Sequence, residues 1–262
     1  MTVSSDEKVV CNFHVHTNYS FDGYNSFRKL YKFSRKANID VIAITDHDTI
    51  DGALGFSAWL KRNSLDDLKV IIGEEVTCSD GTHIIGLDIA QHIPGDSPLT
   101  VVEEIKKQGG FVYFPHPTRH DGILSSEYKD VCLPFGDFYE AFNGKAPHDF
   151  NLQAINFFSQ FPDILPLAGS DAHYNCDLLK CTCILPTGSK NILSEYKLYR
   201  RICINGYPKR NSVGYFSTYY KYKSILNPPG FIKSLGKAIF PAYKNFKERN
   251  LVFKLEKVYD NL

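Results

Sequence analysis

Two short motifs each place a histidine two residues from another possible metal ligand: His14-Val-His16 and, far along the chain, Asp171-Ala-His173. Residues i and i+2 of a strand point to the same side, so each pair could hold one ion. Further acidic and histidine side chains lie between the two motifs: Asp22, His47, Glu75, His83 and His116. Imidazole and carboxylate ligands suit Zn, Mn or Fe, and sites that mix them are usually hydrolytic. The sequence therefore predicts a centre for divalent transition-metal ions.

Short apolar runs alternate with longer amphipathic ones, which is typical of parallel βαβ units. Strands are predicted at 9–15, 40–45, 69–72, 82–89, 110–114, 137–142 and, as the last one, 164–168. Helices are predicted at 26–38, 49–62, 100–108 and 149–159. Most candidate ligands lie where a predicted strand ends. In a barrel of parallel strands these ends open onto one face, so ligands that are scattered along the chain should converge there.

The composition is ordinary for a soluble globular protein. The 262 residues suit one α/β barrel or two smaller domains. We predict no secretory signal and no membrane span, and the seven cysteines show no paired framework, so a cytoplasmic location is expected. The charge is uneven: residues 197–262 hold 14 Lys and Arg against 3 Asp and Glu, whereas the whole chain is only +1. The body is therefore acidic, as a site for several cations requires.

The order of these motifs resembles the PHP (polymerase and histidinol phosphatase) superfamily over residues 9–175. The resemblance rests on HxH at 14–16, Asp-Gly at 22–23, Thr-Asp-His-Asp at 45–48, GxE at 73–75, histidines at 83 and 116, and Ser-Asp-x-His at 170–173. It implies an α/β fold, a distorted (β/α)7 TIM-like barrel. It also implies two or three divalent transition-metal ions (Mn, Zn or Fe). Within the family, the motifs at residues 21–23 and 116–119 resemble those of the branch that hydrolyses nucleotide phosphates and trims RNA 5′ ends.

The resemblance also implies which residues bind each ion. One ion would take His14, His16, Glu75 and Asp171. A second would share Glu75 and take His83 and His116. A third would take Asp22, His47 and His173. Glu75 is preferred to Glu74 because it completes the GxE motif, and only a slip in strand register would exchange them.

The expected activity is hydrolysis of a phosphoester, most readily a phosphomonoester of a small molecule or nucleotide, by a metal-activated hydroxide. Arg119, three residues after His116, is predicted to bind the phosphate through a forked pair of hydrogen bonds. His173 or a water would protonate the leaving group. Asp46 could orient a ligand histidine, and Asn143 could line the pocket.

Two other functions stay open: an exonuclease that trims oligonucleotide ends, and a non-catalytic metal-binding interaction module. Nucleotidase relatives usually carry a large helical insert between the positions of His83 and His116, and here only about 30 residues separate them, which suggests a more open site. His92, His120 and His148 match no family ligand and are interpreted as surface or structural residues.

The predicted domains are a catalytic barrel over 1–206 and a basic, aromatic-rich extension over 207–262 that packs on the barrel. A helix is predicted at 231–249 within this extension. Its lysines and aromatic residues could instead bind an oligonucleotide or an anionic membrane surface. The sequence does not indicate an oligomeric state.

Overall fold

The computed structural model describes residues 8–186, 191–206 and 253–258. Among these residues, ten strands form one sheet: β1 Lys8–Asn12, β2 Val41–Ile44, β3 Lys69–Thr77, β4 His83–Leu87, β5 Phe111–Phe114, β6 Phe138–Asn143, β7 Leu165–Gly169, β8 Cys181–Pro186, β9 Arg201–Gly206 and β10 Phe253–Val258. The helices are α1 Phe27–Lys36, α2 Asp51–Arg62, α3 Pro98–Lys107, α4 Lys129–Cys132, α5 His148–Phe158 and α6 Ile192–Tyr199. The strand order across the sheet is β10-β9-β8-β1-β2-β3-β4-β5-β6-β7.

The first seven strands curl into a nearly closed barrel. The chain just after β1 meets the end of β7: Val15 and Ala172 form a parallel bridge, and the backbone N–H of His16 donates to the carbonyl of Ala172 at 3.0 Å. Next to this seam, the side-chain amide of Asn12 donates to the hydroxyl of Ser170 at 2.9 Å, joining residues that are 158 apart in sequence. The structure therefore confirms the predicted α/β, TIM-like barrel, which brings both ends of the catalytic region together.

Strand burial explains why the apolar runs form this barrel. All four residues of β2 and all six of β6 are buried, as expected for strands that are covered on both faces. A large core holds aromatic side chains from β5 and β6, including Phe114, Phe138 and Tyr139. A smaller core lies where α1 and α2 pack on β2 and contains Leu30 and Phe56. The carboxyl ends of the strands are thus held on a rigid frame.

The prediction of parallel βαβ units is wrong at β4. This strand runs antiparallel to both β3 and β5, whereas β1–β2–β3 and β5–β6–β7 are parallel. The reason is the connection: β3 ends at Thr77, β4 begins at His83, and Gly81 in the turn has φ 84°. So short a link can only join antiparallel strands, because a parallel crossover needs about a dozen residues.

Two other expectations differ from the structure. Glu75 lies inside β3 rather than after it, because β3 continues to Thr77. The strand at Leu165–Gly169 is not the last, since β8 pairs antiparallel with β1, β9 with β8, and β10 with β9.

The C-terminal extension is described only in part. Residues 207–252, which include the predicted helix at 231–249, and residues 259–262 lie outside the described residues. The described portion of the extension is β10, which pairs with β9 along its whole length. A separate domain at 207–262, and its binding to oligonucleotide or membrane, stay predictions. Among the described residues, no helix is long and apolar enough to cross a membrane.

Candidate metal centre

His14 and His16 project from the chain just after β1, and both are fully buried. Their Nε2 atoms lie 3.1 Å apart. Two ring nitrogens at this distance can share at most one proton, and such a pair of lone pairs suits a common cation. The parallel bridge at Val15 fixes the backbone between them, so both rings face the same side of the barrel.

Glu75 joins two pairs of histidines with one carboxylate. Its Oε2 lies 3.0 Å from His14 Nε2 and 3.1 Å from His16 Nε2. Its Oε1 lies 3.0 Å from His83 Nδ1 and 2.9 Å from His116 Nε2. A carboxylate that contacts four imidazoles in this way could bridge two ions.

Glu74 faces away from this cluster because successive side chains of a strand alternate in direction. It is also fully buried, but its carboxylate accepts from His92 Nδ1 at 2.5 Å and from the backbone N–H of Ile93 at 3.0 Å. The register of β3 therefore puts Glu75, and not Glu74, among the candidate ligands.

Asp171 and His173 approach from the end of β7. Asp171 Oδ1 lies 3.5 Å from His16 Nε2 and 3.8 Å from His14 Nε2. Its φ of 48° lies in the left-handed region that Asp and Asn tolerate better than most residues. A further group forms around Asp22, whose Oδ2 is 2.5 Å from His173 Nε2 and 3.9 Å from His47 Nε2. All nine sequence-predicted ligands thus lie together at one end of the barrel.

These side chains fall into overlapping groups, each compact enough to hold one ion. The groups are His14, His16 and Glu75; His14, His116 and Asp171; His47, Glu75 and His83; His83, His116 and Asp121; and His16, Asp22, His47 and His173. Three buried atoms of these side chains also have no hydrogen-bond partner among the described residues, namely His47 Nδ1, His116 Nδ1 and Asp121 Oδ1. The residues therefore fit divalent transition-metal ions in both chemistry and placement.

Asp121 was not predicted from the sequence. Its Oδ1 lies 3.4 Å from His116 Nδ1 without hydrogen-bond geometry, and its Oδ2 lies 3.9 Å from His83 Nδ1. The backbone N–H of His83 donates to its carbonyl at 2.8 Å, which ties the loop to β4. Asp121 lies in a loop five positions after His116. Loop residues follow no helix or strand period, so the spacing in the sequence does not indicate that Asp121 faces the cluster.

Glu140 performs the orienting role that the sequence assigned to Asp46. It accepts from His14 Nδ1 at 3.0 Å and from the backbone N–H of His116 at 2.7 Å, and a carboxylate there fixes the imidazole with Nε2 toward the cluster. The expectation for Asp46 is wrong: its two oxygens accept from the N–H and the hydroxyl of Thr17, at 2.5 and 2.7 Å. Glu140 did leave a signal, as a lone acid within an apolar strand.

The electrostatic environment favours cations. Burial disfavours a charged imidazole, but hydrogen bonds with Asp171 and Glu75 outweigh it and raise the pKa of His16 to about 9. Burial alone would raise the pKa of Glu75, but the surrounding histidines hold it well below its usual range. The pKa of Asp171 is likewise lowered against burial, with Lys145 the largest favourable cause and His14 the next. The carboxylates therefore stay ionised and would attract metal ions.

Two cationic side chains flank Asp171. The guanidinium of Arg119 lies 3.4 Å from Asp171 Oδ2 and forms a 2.6 Å ion pair with Asp121 Oδ2. The ammonium of Lys145, which the sequence did not single out, lies 3.7 Å from Asp171 Oδ1 and hydrogen-bonds to His173 Nδ1. Arg119 therefore reaches the candidate centre as predicted from its position, and a second cation accompanies it.

The other residues considered from the sequence lie as follows. Asn143, at the end of β6, donates its amide to Glu140 at 2.8 Å and approaches Asp171 at 3.4 Å. His92 pairs with Glu74, His120 is exposed, and His148 begins α5. None of these three histidines belongs to the metal-binding groups of the described residues.

The barrel and its buried histidine–carboxylate cluster define a class of α/β-barrel proteins with a candidate metal-binding site. The match to a family model is more specific: the PHP domain model matches residues 12–220. The chain belongs to the PHP domain family.

Several proteins resemble this chain over part of its length. An uncharacterized protein of Methanocaldococcus jannaschii is 35% identical over 135 residues, covering 47% of this chain and 71% of that protein. The DNA polymerase III subunit alpha of Helicobacter pylori is 26% identical over 144 residues, covering 49% of this chain but only 11% of the subunit.

Two solved structures share the fold. A two-domain protein from Bacteroides vulgatus, described as containing a predicted PHP-like metal-dependent phosphoesterase, has a TM-score of 0.62 at 16% identity, covering 77% of this chain and 66% of that one. PsfC from Pseudomonas syringae has a TM-score of 0.61 at 13% identity, covering 84% of this chain and all of that one.

Proposed function

We propose that this chain is a metal-dependent phosphoesterase that hydrolyses phosphomonoesters. The observation that carries the proposal is the position of Glu75, whose two oxygens lie within 3.1 Å of four histidine nitrogens. A buried carboxylate shared in this way is suited to hold two metal ions close together, and two close ions are a recurring device for phosphoryl chemistry.

The geometry supports the following ligands. His14, His16, Glu75 and Asp171 would hold one ion, and Glu75, His83 and His116, joined by Asp121, a second. Asp22, His47 and His173, together with His16, would hold a third. When bound, such ions supply a hydroxide from water at neutral pH and neutralise charge on phosphate oxygens.

The chain's own residues position the substrate and the ligands. Glu140 orients His14 through its Nδ1. Arg119 would bind a phosphate oxygen next to Asp171, where its guanidinium already points. His173 is better suited to bind an ion than to donate a proton, because its Nε2 faces Asp22 and its Nδ1 lies 2.9 Å from the carbonyl of Asp171. A water is then the more suitable donor to the leaving group.

One of the similar solved structures supports this function without naming a substrate. The Bacteroides vulgatus protein is described as containing a predicted metal-dependent phosphoesterase, and the Helicobacter pylori relative is a polymerase subunit. Hydrolysis of nucleotide phosphates, as in the branch that 21–23 and 116–119 resemble, is one form of the proposed activity. Exonuclease activity and a non-catalytic module remain the alternatives; a module freed from catalysis would not need to keep every ligand.

A phosphatase screen with defined metals tests the proposal. Protein purified in metal-replete medium should carry two or three transition-metal ions per chain by elemental analysis. Aliquots stripped with a chelator and reloaded separately with Mn, Zn or Fe would be assayed against a panel of phosphomonoesters, phosphodiesters and 5′-phosphorylated oligonucleotides. We expect metal-dependent release of inorganic phosphate. One ion or fewer per chain, or no hydrolysis with any metal, would contradict the proposal, and release of mononucleotides alone would favour the exonuclease.

A further inference from the structure

A tight turn after β6 aims Lys145 at the candidate centre. The side-chain oxygen of Asn143 accepts from the backbone N–H groups of Lys145 and Ala146, at 2.8 and 2.9 Å. The N–H of Gly144 donates to the carbonyl of Gly169 at 2.9 Å. A Cβ at Gly144 would lie only 3.0 Å from the Ser170 carbonyl oxygen, so the turn packs closely on the end of β7. The position of Lys145 is therefore built into the fold.

Lys145 and Arg119 approach Asp171 from its two oxygens. Arg119 lies 3.4 Å from Oδ2 and Lys145 lies 3.7 Å from Oδ1. Both side chains are partly open to solvent, at 29% and 24% exposure, so a ligand that enters the site can reach them. Together the two cations carry more N–H donors than the single carboxylate of Asp171 can accept, so donors are left for a ligand at the solvent-accessible edge of the centre.

The two groups that Lys145 contacts in the structure are themselves candidate metal ligands. Asp171 and His173 both belong to compact metal-binding groups. If His173 bound an ion through Nε2, its Nδ1 would carry a proton and donate to the carbonyl of Asp171, which lies 2.9 Å away. Nδ1 could then no longer accept from Lys145. The ammonium, with three N–H donors, would be available to an anionic substrate.

We propose that Lys145 is a second phosphate-binding residue that, together with Arg119, makes the site select a terminal phosphate dianion over a phosphodiester. The inference rests on the proposed function. A phosphomonoester offers three terminal oxygens and up to two negative charges, whereas a diester offers two oxygens and one charge. Metal ions that occupy two oxygens would leave a third only in the monoester, and this third oxygen is the partner for the two cations.

The test compares Lys145→Met and Lys145→Arg with Lys107→Met. Lys107 is a matched control because it is a lysine on the outer helix α3 that pairs with Glu104 at 3.1 Å. Each metal-loaded protein would be assayed with p-nitrophenyl phosphate and with bis(p-nitrophenyl) phosphate. Inorganic phosphate and dimethyl phosphate would be titrated calorimetrically, and metal content measured in every sample.

Lys145→Met should lower kcat/KM for the monoester, and weaken binding of inorganic phosphate, by about tenfold, the size expected for a lost charge-assisted contact. Diester hydrolysis, dimethyl phosphate binding and metal content should be unchanged. Lys145→Arg should recover part of the loss, and Lys107→Met should match the wild type.

Three results would overturn the inference: equal losses for monoester and diester, a loss of metal, or no loss of phosphate binding. Failure of the proposed function looks different, because the wild type would then hydrolyse neither ester. The phosphate titration would still decide the role of Lys145, since wild-type protein that binds no phosphate contradicts it directly.

Discussion

The two halves of the barrel contribute different charges to the centre. Residues from β1 to β3 supply histidines and acids, and the ion pairs described for Glu75 and Asp22 in the cluster are with histidines. Residues from β4 to β7 also supply ligands, but they add Arg119 and Lys145, both next to Asp171. The first half is therefore suited to hold ions, and the second half to hold ions and an anionic substrate together.

The largest effect is expected at Glu75, in the ion-holding half. Glu75→Gln keeps the shape of the side chain but removes the charge shared by four histidines, so at least one ion per chain should be lost and phosphoester turnover should fall by several orders of magnitude. Elemental analysis and steady-state kinetics measure both. Wild-type turnover in this variant would mean that Glu75 is not a bridging ligand.

Asp171 lies where the two halves meet, so Asp171→Asn should affect both metal binding and substrate binding. Asn tolerates the left-handed backbone conformation of this residue, and the fold should persist by circular dichroism. Turnover should nevertheless fall by several orders of magnitude, because an amide neither neutralises an ion nor pairs with Arg119 and Lys145. Retention of wild-type turnover would remove Asp171 from the ligand set.

Arg119 separates substrate binding from metal binding. Arg119→Ala should leave metal content intact and lower kcat/KM for the best phosphoester by about tenfold to a hundredfold, since a contact to a charged group contributes about 1.5–3 kcal/mol. A lower kcat would show that the contact strengthens in the transition state, and a higher KM alone would show uniform binding. Arg119→Lys should recover part of the loss. An unchanged kcat/KM in the alanine variant would leave phosphate recognition to the ions and Lys145.

The smallest effect is expected at Glu74, the matched control for Glu75. The two residues are adjacent and both buried, but Glu74 faces His92 on the other side of β3. Glu74→Gln should keep the metal content and turnover of the wild type, with a loss of about 1 kcal/mol in the free energy of unfolding from a weakened hydrogen bond. A loss of metal comparable to that in Glu75→Gln would contradict the strand register that separates them.

The alternation of apolar and amphipathic runs predicted parallel βαβ units, and the resemblance to the PHP superfamily implied the barrel. The nine candidate ligands lie together, as a barrel requires. Their roles as ligands stay predictions. The direction of β4 did not follow from the predicted strand bounds, because the predicted strands end at residue 72 and begin again at residue 82. In the structure β3 continues to Thr77 and leaves only the short link at 78–82. Asp121 and Lys145 were missed for a different reason. They lie in loops, where spacing carries no information about direction, and only the fold brings them to the centre.

A metal ion bound at the seam of the barrel would also affect the stability of the fold. His14 and His16 lie on one side of this seam and Asp171 on the other, next to the backbone bond between His16 and Ala172. An ion bound by these residues would act as a reversible cross-link across most of the catalytic region, and such cross-links stabilise a protein by restricting its unfolded chain. Removing the ions should lower the melting temperature. It should also speed hydrogen exchange at the amides of Phe13 and His16, which close the seam, more than at the amides inside β6.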